Sequence, residues 1–352
     1  MIDNSQDSIR WPNERLTPVI ITYNRAEQLE RTLNAFLNAG LDSMQLTVLD
    51  NASPDTTSEV VAAFQEKWSE LRYVRNRFNI GGCANYLRAI ELTESEYCWV
   101  IGDDDEWMFD GLQELIGQLS DRSADVIRLG WQVELSERAK MYTLAELVGS
   151  SPNFLGSVSM ISSVIVRRSF ISQYLSECYF SLSDFYPQMV PFYRQVSSSS
   201  IKVYSLSVDF MTHTPSDKPG YFFGDLEWLT YYCRNTRYLS ERSMQKKVVS
   251  GVMAYLKNQF RFRYSFAANL RIILQLALKP KALGLDQTPY FYSLLGYGYG
   301  IRCSVFIAMM IYFLLPVPFL RKVTSFIRES NGLGGDLDKE LEYILNGRKQ
   351  RP

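Results

Sequence analysis

The chain has 352 residues, more than one hydrophobic core usually supports, so we expect one large domain and a smaller one. Hydrophobic residues make up 46% and charged residues 21%, which excludes a disordered, collagen-like or low-complexity chain, and five scattered cysteines without a C-x-x-C motif indicate a reducing compartment. The net charge of −1 conceals an asymmetry, since the balance of basic and acidic residues is −11 up to Ser240 and +10 after it.

Residues 1–15 are polar and contain no apolar stretch that could serve as a signal peptide, so we expect the first domain to stay on the cytoplasmic side. From Thr17 onward, strand patterns alternate with helix patterns. The strands are predicted over 17–22, 45–49, 71–75, 97–101 and 124–131, and the helices over 24–40, 60–68, 82–92 and 110–119. Asn24 and Glu27 form a capping box for the first helix. This alternation predicts an α/β fold with a parallel sheet that is covered on both faces.

Polar residues follow each of the first four strands, at the sheet edge where open α/β folds bind ligands. They occupy positions 22–25, 50–55, 76–82 and 102–106. No G-x-G-x-x-G motif follows the first strand and no P-loop lysine motif is present, so dinucleotide binding and Walker-type ATP binding are disfavoured. We expect the four strand ends to meet on one rim.

Asp103, Asp104 and Asp105 follow one another directly after the apolar strand. Three adjacent carboxylates repel one another, and a bound cation would neutralise them. Oxygen ligands favour Mg²⁺ or Mn²⁺, and such an ion suits a diphosphate leaving group. An aspartate-rich turn that caps the next helix is the alternative, although three acids exceed what a cap needs. The triplet therefore predicts a metal site.

Four segments resemble, in order and spacing, the nucleotide-sugar-binding half of family 2 glycosyltransferases with the GT-A fold. They read TPVIITYNRAEQLERTL, LTVLDNASPDTT, NIGGCANYLRAIE and WVIGDDDEW. The resemblance is close over about the first 130 residues and loose over about the next 90. It implies a Rossmann-like, mostly parallel sheet and transfer of a sugar from a nucleotide-diphosphate donor to an acceptor hydroxyl, with inversion at the anomeric carbon.

The resemblance also implies roles for single residues. The residues expected to bind the donor are Thr22, Tyr23, Arg25, Asp50, Asn51, Asn79, Gly82, Asp103 and Asp104. Among them, Asp50 would bind the base and Asp103 the ribose or the donor sugar. Asp105 is the expected metal ligand, with Asp103 and Asp104 as competing candidates because the family motif has two acids where three stand here. Asn51 replaces a second acid of many relatives, and Asp55 either belongs to the site or begins a helix.

An inverting transfer needs a carboxylate that takes the proton of the acceptor hydroxyl. The resemblance places this acid in a second acidic motif, where Asp184 is the only acid between Glu177 and Asp209. Ser183 stands where the family often has Glu, so a helix-start role for Asp184 is the alternative. His213, the only histidine, is a candidate further metal ligand or diphosphate contact, and an exposed loop histidine is the alternative.

The last third of the chain is basic and aromatic. In residues 257–284, Lys and Arg alternate with aromatic and aliphatic residues, as in a helix that lies in a membrane interface, which favours lipid over nucleic acid as the partner. Residues 303–320 form an uncharged stretch of 18 residues, but prolines at 316 and 318 interrupt it. We predict contact with an anionic membrane surface without spanning; a buried helical hairpin is the alternative.

We therefore predict a GT-A domain over residues 1–224 and a helical, membrane-associating region over 225–352. The predicted function is metal-dependent transfer of a sugar to a glycan or polyprenyl-linked acceptor in cell-surface polysaccharide synthesis, at the cytoplasmic face of the inner membrane. A non-catalytic scaffold or sensor that binds sugar nucleotides on the same fold is the alternative.

Overall fold

The computed structural model describes residues 11–151, 154–184, 186–212, 225–259, 266–282, 286–316 and 319. Contacts along the chain define two compact units, Met1–Pro215 and Ser216–Pro352. The domain boundary that we predict after Gly224 falls in residues 213–224, outside the described residues, and stays a prediction.

Strands and helices alternate in the first unit, as the periodicity predicts. Its first part contains β1 (Val19–Thr22), α1 (Ala26–Asn38), β2 (Leu46–Asp50), α2 (Thr57–Gln65), β3 (Leu71–Arg75), α3 (Gly82–Leu92), β4 (Tyr97–Cys98), β5 (Val100–Gly102), β6 (Glu106–Trp107), α4 (Leu112–Asp121) and β7 (Val126–Arg128). Its second part contains β8 (Lys140–Thr143), α5 (Leu144–Ser150), α6 (Phe154–Ser157), β9 (Val164–Arg167), α7 (Arg168–Ser172), α8 (Leu175–Phe180), α9 (Val190–Arg194), β10 (Lys202–Ser205) and β11 (Met211–Thr212).

The first unit contains a four-stranded sheet in the order β3-β2-β1-β5, and all its strand pairs are parallel. A five-stranded sheet in the order β4-β9-β7-β10-β8 is mixed, because β9 runs antiparallel to β4 and β7. The predicted strand 97–101 is thus divided into β4 and β5 around Trp99, whose carbonyl accepts a 2.9 Å hydrogen bond from the Val19 amide. The mostly parallel sheet is confirmed. Each antiparallel strand pair includes a strand that follows β7 in the chain.

The apolar faces of the helices pack on this sheet as the helical period predicts. Leu29, Leu33 and Phe36 of α1 have no exposed surface, and full burial of each such side chain stabilises the fold by about 1.5 to 3 kcal/mol. Phe36 also contacts Trp107 edge-to-face at 5.3 Å between ring centroids. This ring contact packs α1 against β6.

The second unit is helical, as expected. It contains α10 (Asp225–Asn235), α11 (Arg242–Gln259), α12 (Phe266–Ala282), α13 (Thr288–Tyr297) and α14 (Arg302–Leu314). The predicted interfacial segment 257–284 includes α12, whose buried residues are Ala268, Ile272, Ile273, Leu274, Leu276 and Ala277. Most apolar side chains described in α12 therefore pack inside the unit, where this helix contacts α11 and α14. Among the described residues, no helix combines the length and the apolar character needed to cross a bilayer.

Candidate functional site

The carboxyl ends of β1, β2, β3 and β5 meet at one edge of the parallel sheet. The register aligns Thr22 with Asp50, and Asp50 with Arg75. Across this edge, the Thr22 hydroxyl donates a 2.6 Å hydrogen bond to Oδ2 of Asp103, which follows β5. The strand ends that the sequence predicts to converge therefore do so.

Asp103 is the centre of a buried polar cluster at this edge. Arg25 Nη1 donates to Asp103 Oδ1 at 3.0 Å and to Asp104 Oδ2 at 2.6 Å. The Thr32 hydroxyl of α1 donates to the backbone oxygen of Asp103 at 3.0 Å. Burial raises the pKa of Asp103 to about 6, although Arg25 and Thr22 act in the opposite direction. One guanidinium therefore bridges two carboxylates of the triplet, and the most buried one is only weakly acidic.

Three side-chain oxygen atoms lie close around Gly102. A Cβ atom on Gly102 would lie 3.3 Å from Asp104 Oδ1, 3.3 Å from Ser162 Oγ and 3.4 Å from Asp105 Oδ2. Hard oxygen donors of this kind fit Mg²⁺ or Mn²⁺, which proteins hold with one or two carboxylates while phosphate and water supply the other ligands. Within the described ranges, no three Asp, Glu, His or Cys side chains form a metal-binding group. Asp104 and Asp105 therefore offer two carboxylates here, and an ion held by them would need phosphate or water for its remaining ligands.

Asp50 lies at the end of β2 and has no exposed surface. Its Oδ1 accepts hydrogen bonds from the Ser53 amide at 2.8 Å and the Ser53 hydroxyl at 2.5 Å. Its Oδ2 accepts from Tyr73 Oη at 2.6 Å and from Arg75 Nη1 at 2.7 Å. A carboxylate has about four acceptor positions, so these donors occupy them. Binding of a base by Asp50 stays a prediction; the observed contacts make it an anchor for Tyr73 and Arg75.

Tyr73 and Arg75 are two further polar residues at this edge that the sequence motifs did not indicate. They stand two positions apart on β3 and therefore point to the same face of the sheet. Both reach the carboxylate of Asp50 on the neighbouring strand. The alternation of polar residues at the end of β3 was the available signal, since a buried acid needs partners from adjacent strands.

Four asparagines connect the ends of β2 and β3 to the start of α3. Asn76 Nδ2 donates to Asn51 Oδ1 and to Asn85 Oδ1, both at 2.8 Å, and Asn51 Nδ2 donates to Asn79 Oδ1 at 2.9 Å. The Ile80 amide donates to Asn51 Oδ1 at 3.0 Å. These bonds fix the loop 76–81 that precedes Gly82, the first residue of α3.

The turn after β1 corrects one prediction. Asn24 has φ of +56° and the N-cap of α1 is Arg25, without a side-chain cap, so the capping box of Asn24 and Glu27 is wrong. Asp55 of the next loop provides the cap instead, because its Oδ2 accepts from the Ala26 amide at 2.9 Å. The helix-start role of Asp55 is thereby confirmed for α1, and its Oδ1 also accepts from the Thr57 amide at 3.2 Å and the Thr57 hydroxyl at 2.5 Å at the start of α2. Tyr23, in the same turn, is exposed.

Two predicted residues remain, Asp184 as the base and His213 as a further metal ligand or diphosphate contact. Asp184 ends a 3₁₀ turn, Leu182–Asp184, and is fully buried. Its role as the base stays a prediction, and it requires the side chain to gain access to the acceptor hydroxyl when that substrate binds. His213 lies outside the described residues.

Comparison with known proteins gives related sequences for the amino-terminal part. Residues 17–174 match the family described as Glycosyl transferase family 2. Abequosyltransferase RfbV of Salmonella typhimurium is 37% identical over 111 residues, which are 30% of this chain and 33% of that protein. The GalNAc(5)-diNAcBac-PP-undecaprenol beta-1,3-glucosyltransferase of Campylobacter jejuni is 25% identical over 113 residues, or 32% of this chain and 37% of that protein. The match therefore spans about a third of each of these curated relatives.

A solved structure extends the similarity of fold. TarS 1-349 of S. aureus, crystallised in complex with UDP-GlcNAc, superposes with a TM-score of 0.52 and 12% identity, over 85% of this chain and 91% of that one. At this identity the likeness concerns the fold alone.

Proposed function

Because residues 17–174 of this chain are a glycosyl transferase family 2 domain, we propose that the protein transfers a sugar from a nucleotide-diphosphate donor to a hydroxyl of a lipid-linked glycan. The transferred group is a hexosyl or deoxyhexosyl residue, and the product belongs to a bacterial surface polysaccharide. The names of two relatives, an abequosyltransferase and an enzyme for an undecaprenol-linked glycan, support these choices.

The observation that carries this proposal is the joint placement of Thr22, Arg25 and Asp103 at one edge of a parallel sheet. Arg25 offers a cation beside the carboxylates, and Arg75 offers a second, partly exposed guanidinium at the end of β3. Both guanidiniums are ion-paired with aspartates of this edge, so they reduce its negative charge, and a bound divalent ion would supply the further positive charge that a diphosphate donor needs. Tyr23 and the loop 76–81 provide the exposed groups against which the nucleoside packs.

We expect the donor to bind together with Mn²⁺ or Mg²⁺, which Asp104 and Asp105, whose carboxylate oxygens lie close to Gly102, would hold. Such an ion would supply positive charge that stabilises the diphosphate leaving group. Asp103 supports this site, because Thr22 and Arg25 hold its carboxylate in place.

On the acceptor side, the hydroxyl oxygen forms the new bond to the anomeric carbon while its proton passes to the carboxylate of Asp184. The bond between the anomeric carbon and the diphosphate breaks in the same step, so the configuration inverts. The acidic rim works at the cytoplasmic face of the inner membrane, where the basic second unit binds anionic lipid.

The first test is a thermal-shift screen of nucleoside diphosphates with and without Mn²⁺, followed by an assay of diphosphate release from donor and lipid-linked acceptor. We expect one nucleotide to raise the melting temperature only when Mn²⁺ is present. Binding without any release in the presence of acceptor would favour a sensor over an enzyme.

The second test is Asp184→Asn. We expect donor binding to persist and transfer of a radiolabelled sugar to fall by about two to four orders of magnitude, the usual contribution of a general base. Turnover close to that of the wild type would exclude Asp184 as the base.

A further inference from the structure

Helix α14 carries apolar side chains on its solvent side as well as on its inner side. Its outer face is a stripe of five residues at helical spacing: Phe306 (52% exposed), Ile307 (38%), Met310 (44%), Phe313 (54%) and Leu314 (71%). Its inner face, with Val305, Ala308 and Tyr312, is buried. An exposed apolar stripe of this size marks a surface that binds something.

Contacts at both ends hold the helix in place. Lys281 of α12 donates through Nζ to the backbone oxygens of Tyr312 and Leu315, the latter at 2.8 Å. At the other end, Arg302 donates to the Gly296 oxygen at 2.6 Å. The outer face is therefore presented by a helix whose ends are bonded to neighbouring elements of the unit.

The basic composition of the sequence that contains the stripe indicates the chemistry of its partner. Residues 242–328 contain 13 basic residues and a single acid, Asp286. Arg302 opens α14 itself, and Arg271 is exposed on α12. An apolar face within so basic a unit complements a surface with both apolar and anionic groups, and it repels a second copy of itself.

We infer that the outer face of α14, residues 306, 307, 310, 313 and 314, inserts into the headgroup and acyl boundary of an anionic membrane. The inference rests on the membrane association proposed above and assigns it to one face. It replaces 257–284 as the expected interfacial segment, because most apolar residues described in α12 are buried. A helix lying in the membrane plane buries its apolar face about 5 to 10 Å deep.

The test uses the full chain and vesicles of phosphatidylcholine with or without phosphatidylglycerol. We expect the wild type to float with the anionic vesicles and Phe306→Gln/Phe313→Gln to bind about tenfold or more weakly. The control is Leu135→Gln/Phe180→Gln, which alters two apolar side chains of the first unit that are even more exposed, at 84% and 80%, and should bind like the wild type. Equal loss in both double variants, or in neither, would overturn the inference.

A second measurement keeps the wild-type stripe intact. Cys303 is exposed and stands three positions before Phe306 on α14, so a polarity-sensitive fluorophore attached to it reports on this face. Its emission should shift to the blue when anionic vesicles are added, and a Cys303→Ser chain treated in the same way corrects for labelling elsewhere. Vesicle binding without a blue shift would mean adsorption by charge alone and would refute insertion.

Sedimentation of the lipid-free protein tests the remaining alternative, in which the outer face of α14 binds a second copy of the chain. If Phe306→Gln/Phe313→Gln converts a dimer into a monomer while vesicle binding is unchanged, the face binds a second copy and the inference fails. None of these readouts depends on sugar transfer. If the chain inserts through α14 but releases no nucleoside diphosphate, the result supports membrane insertion and contradicts the proposed enzymatic activity.

Discussion

Thr22 fixes the Asp103 carboxylate through a buried hydrogen bond of 2.6 Å. Thr22→Val keeps the shape of the side chain and removes the donor, so one oxygen of a buried carboxylate loses a partner. We expect the free energy of unfolding to fall by about 1 to 3 kcal/mol, measured by urea denaturation at pH 7. Donor affinity should fall as well, because Asp103 is no longer held in place.

The control for this prediction is Thr32→Val, which removes the hydrogen bond to the backbone oxygen of the same aspartate. This variant should lose some stability but retain most of the donor affinity, since both carboxylate partners of Asp103 remain. If the two variants weakened donor binding equally, the carboxylate bond of Thr22 would have no special role.

Gly102 provides a second prediction at the same site. In Gly102→Ala the new Cβ would crowd the oxygens of Asp104 and Asp105, which lie 3.3 and 3.4 Å from its position. We expect Mn²⁺ binding in the presence of nucleoside diphosphate to weaken about tenfold or more, as calorimetry would show. Gly117→Ala, at a helix position with no described atom within 4 Å, should bind Mn²⁺ like the wild type. Unchanged affinity in Gly102→Ala would argue against a metal at this place.

Asp55 gives a prediction about pH. Burial raises its pKa, but hydrogen bonds from the Thr57 side chain and from the Ala26 and Thr57 amides outweigh this and lower the pKa below 3.8. A carboxylate whose pKa is lowered by folding stabilises the fold above its unfolded pKa and loses that contribution as the pH falls through the folded value. Asp55→Ala should cost about 1 kcal/mol at pH 7, and much less below the folded pKa.

Unfolding of the two chains by urea at a series of pH values measures this difference. A gap between wild type and Asp55→Ala that stays constant from pH 7 down to the acid limit would show that the charge of Asp55 contributes nothing. A gap that widens on acidification would contradict the direction of the pKa change.

The residue types at the site could be predicted from the sequence, but not their partners. The spacing of Asp103 after a strand indicated a ligand site, whereas its bond to Thr22 joins positions 81 apart in the chain. The misplaced cap has the same cause. Asparagine is a residue type that often caps helices. However, Asn24 has a left-handed backbone, and the carboxylate of Asp55 from another loop caps α1 instead.

At the scale of elements, the asparagine network explains why position 51 has an amide. Asn51 accepts from Asn76 and Ile80 through one atom and donates to Asn79 through the other. Asn51→Asp replaces the donor by an anionic oxygen that faces the Asn79 oxygen, so the loop 76–81 should loosen. We expect faster hydrogen exchange at Ile80 and Gly81 and no change at Val48 in the core of β2.

Asn51→Ala is the matched variant for this experiment, because it removes all three side-chain hydrogen bonds without adding a charge. Exchange in the loop should be faster than in the wild type for both variants. Wild-type exchange rates at Ile80 in Asn51→Asp would mean that the loop is held by other contacts.

The elements themselves were largely predictable, since each has a local signal. The predicted strands at 45–49 and 71–75 differ from β2 and β3 by at most one residue at either end. Sheet direction after β7 was not predictable, because the antiparallel pairing of Val126 with Val166 depends on contacts between distant segments. The interruption at Trp99 had no local signal either, as the segment is apolar throughout.

At the scale of the whole molecule, the separation of charge gives a prediction about salt. If anionic lipid binds the basic unit, vesicle binding should weaken steeply between 0.1 and 1 M salt, because the Debye length falls from about 10 to 3 Å. Flotation at several salt concentrations measures this. A short DNA duplex should remain unbound at physiological salt; binding to DNA with the same salt dependence would instead indicate a general affinity for polyanions.

The composition of the second unit predicted its helices but not its faces. Both α12 and α14 are rich in apolar residues, so sequence alone could not decide which of them is buried. The structure buries Ile272 and Ile273 of α12 and exposes Phe306 and Phe313 of α14. That choice depends on how the helices pack together, which no single helix encodes.

The burial of one side of α14 has a consequence for handling the protein. Because the inner side of α14 is buried and only its outer side is exposed, only the outer half of the helix is available to a membrane. Washing isolated cell membranes with alkaline carbonate should therefore release the protein without detergent, which would remove a common obstacle to purifying proteins that bind membranes.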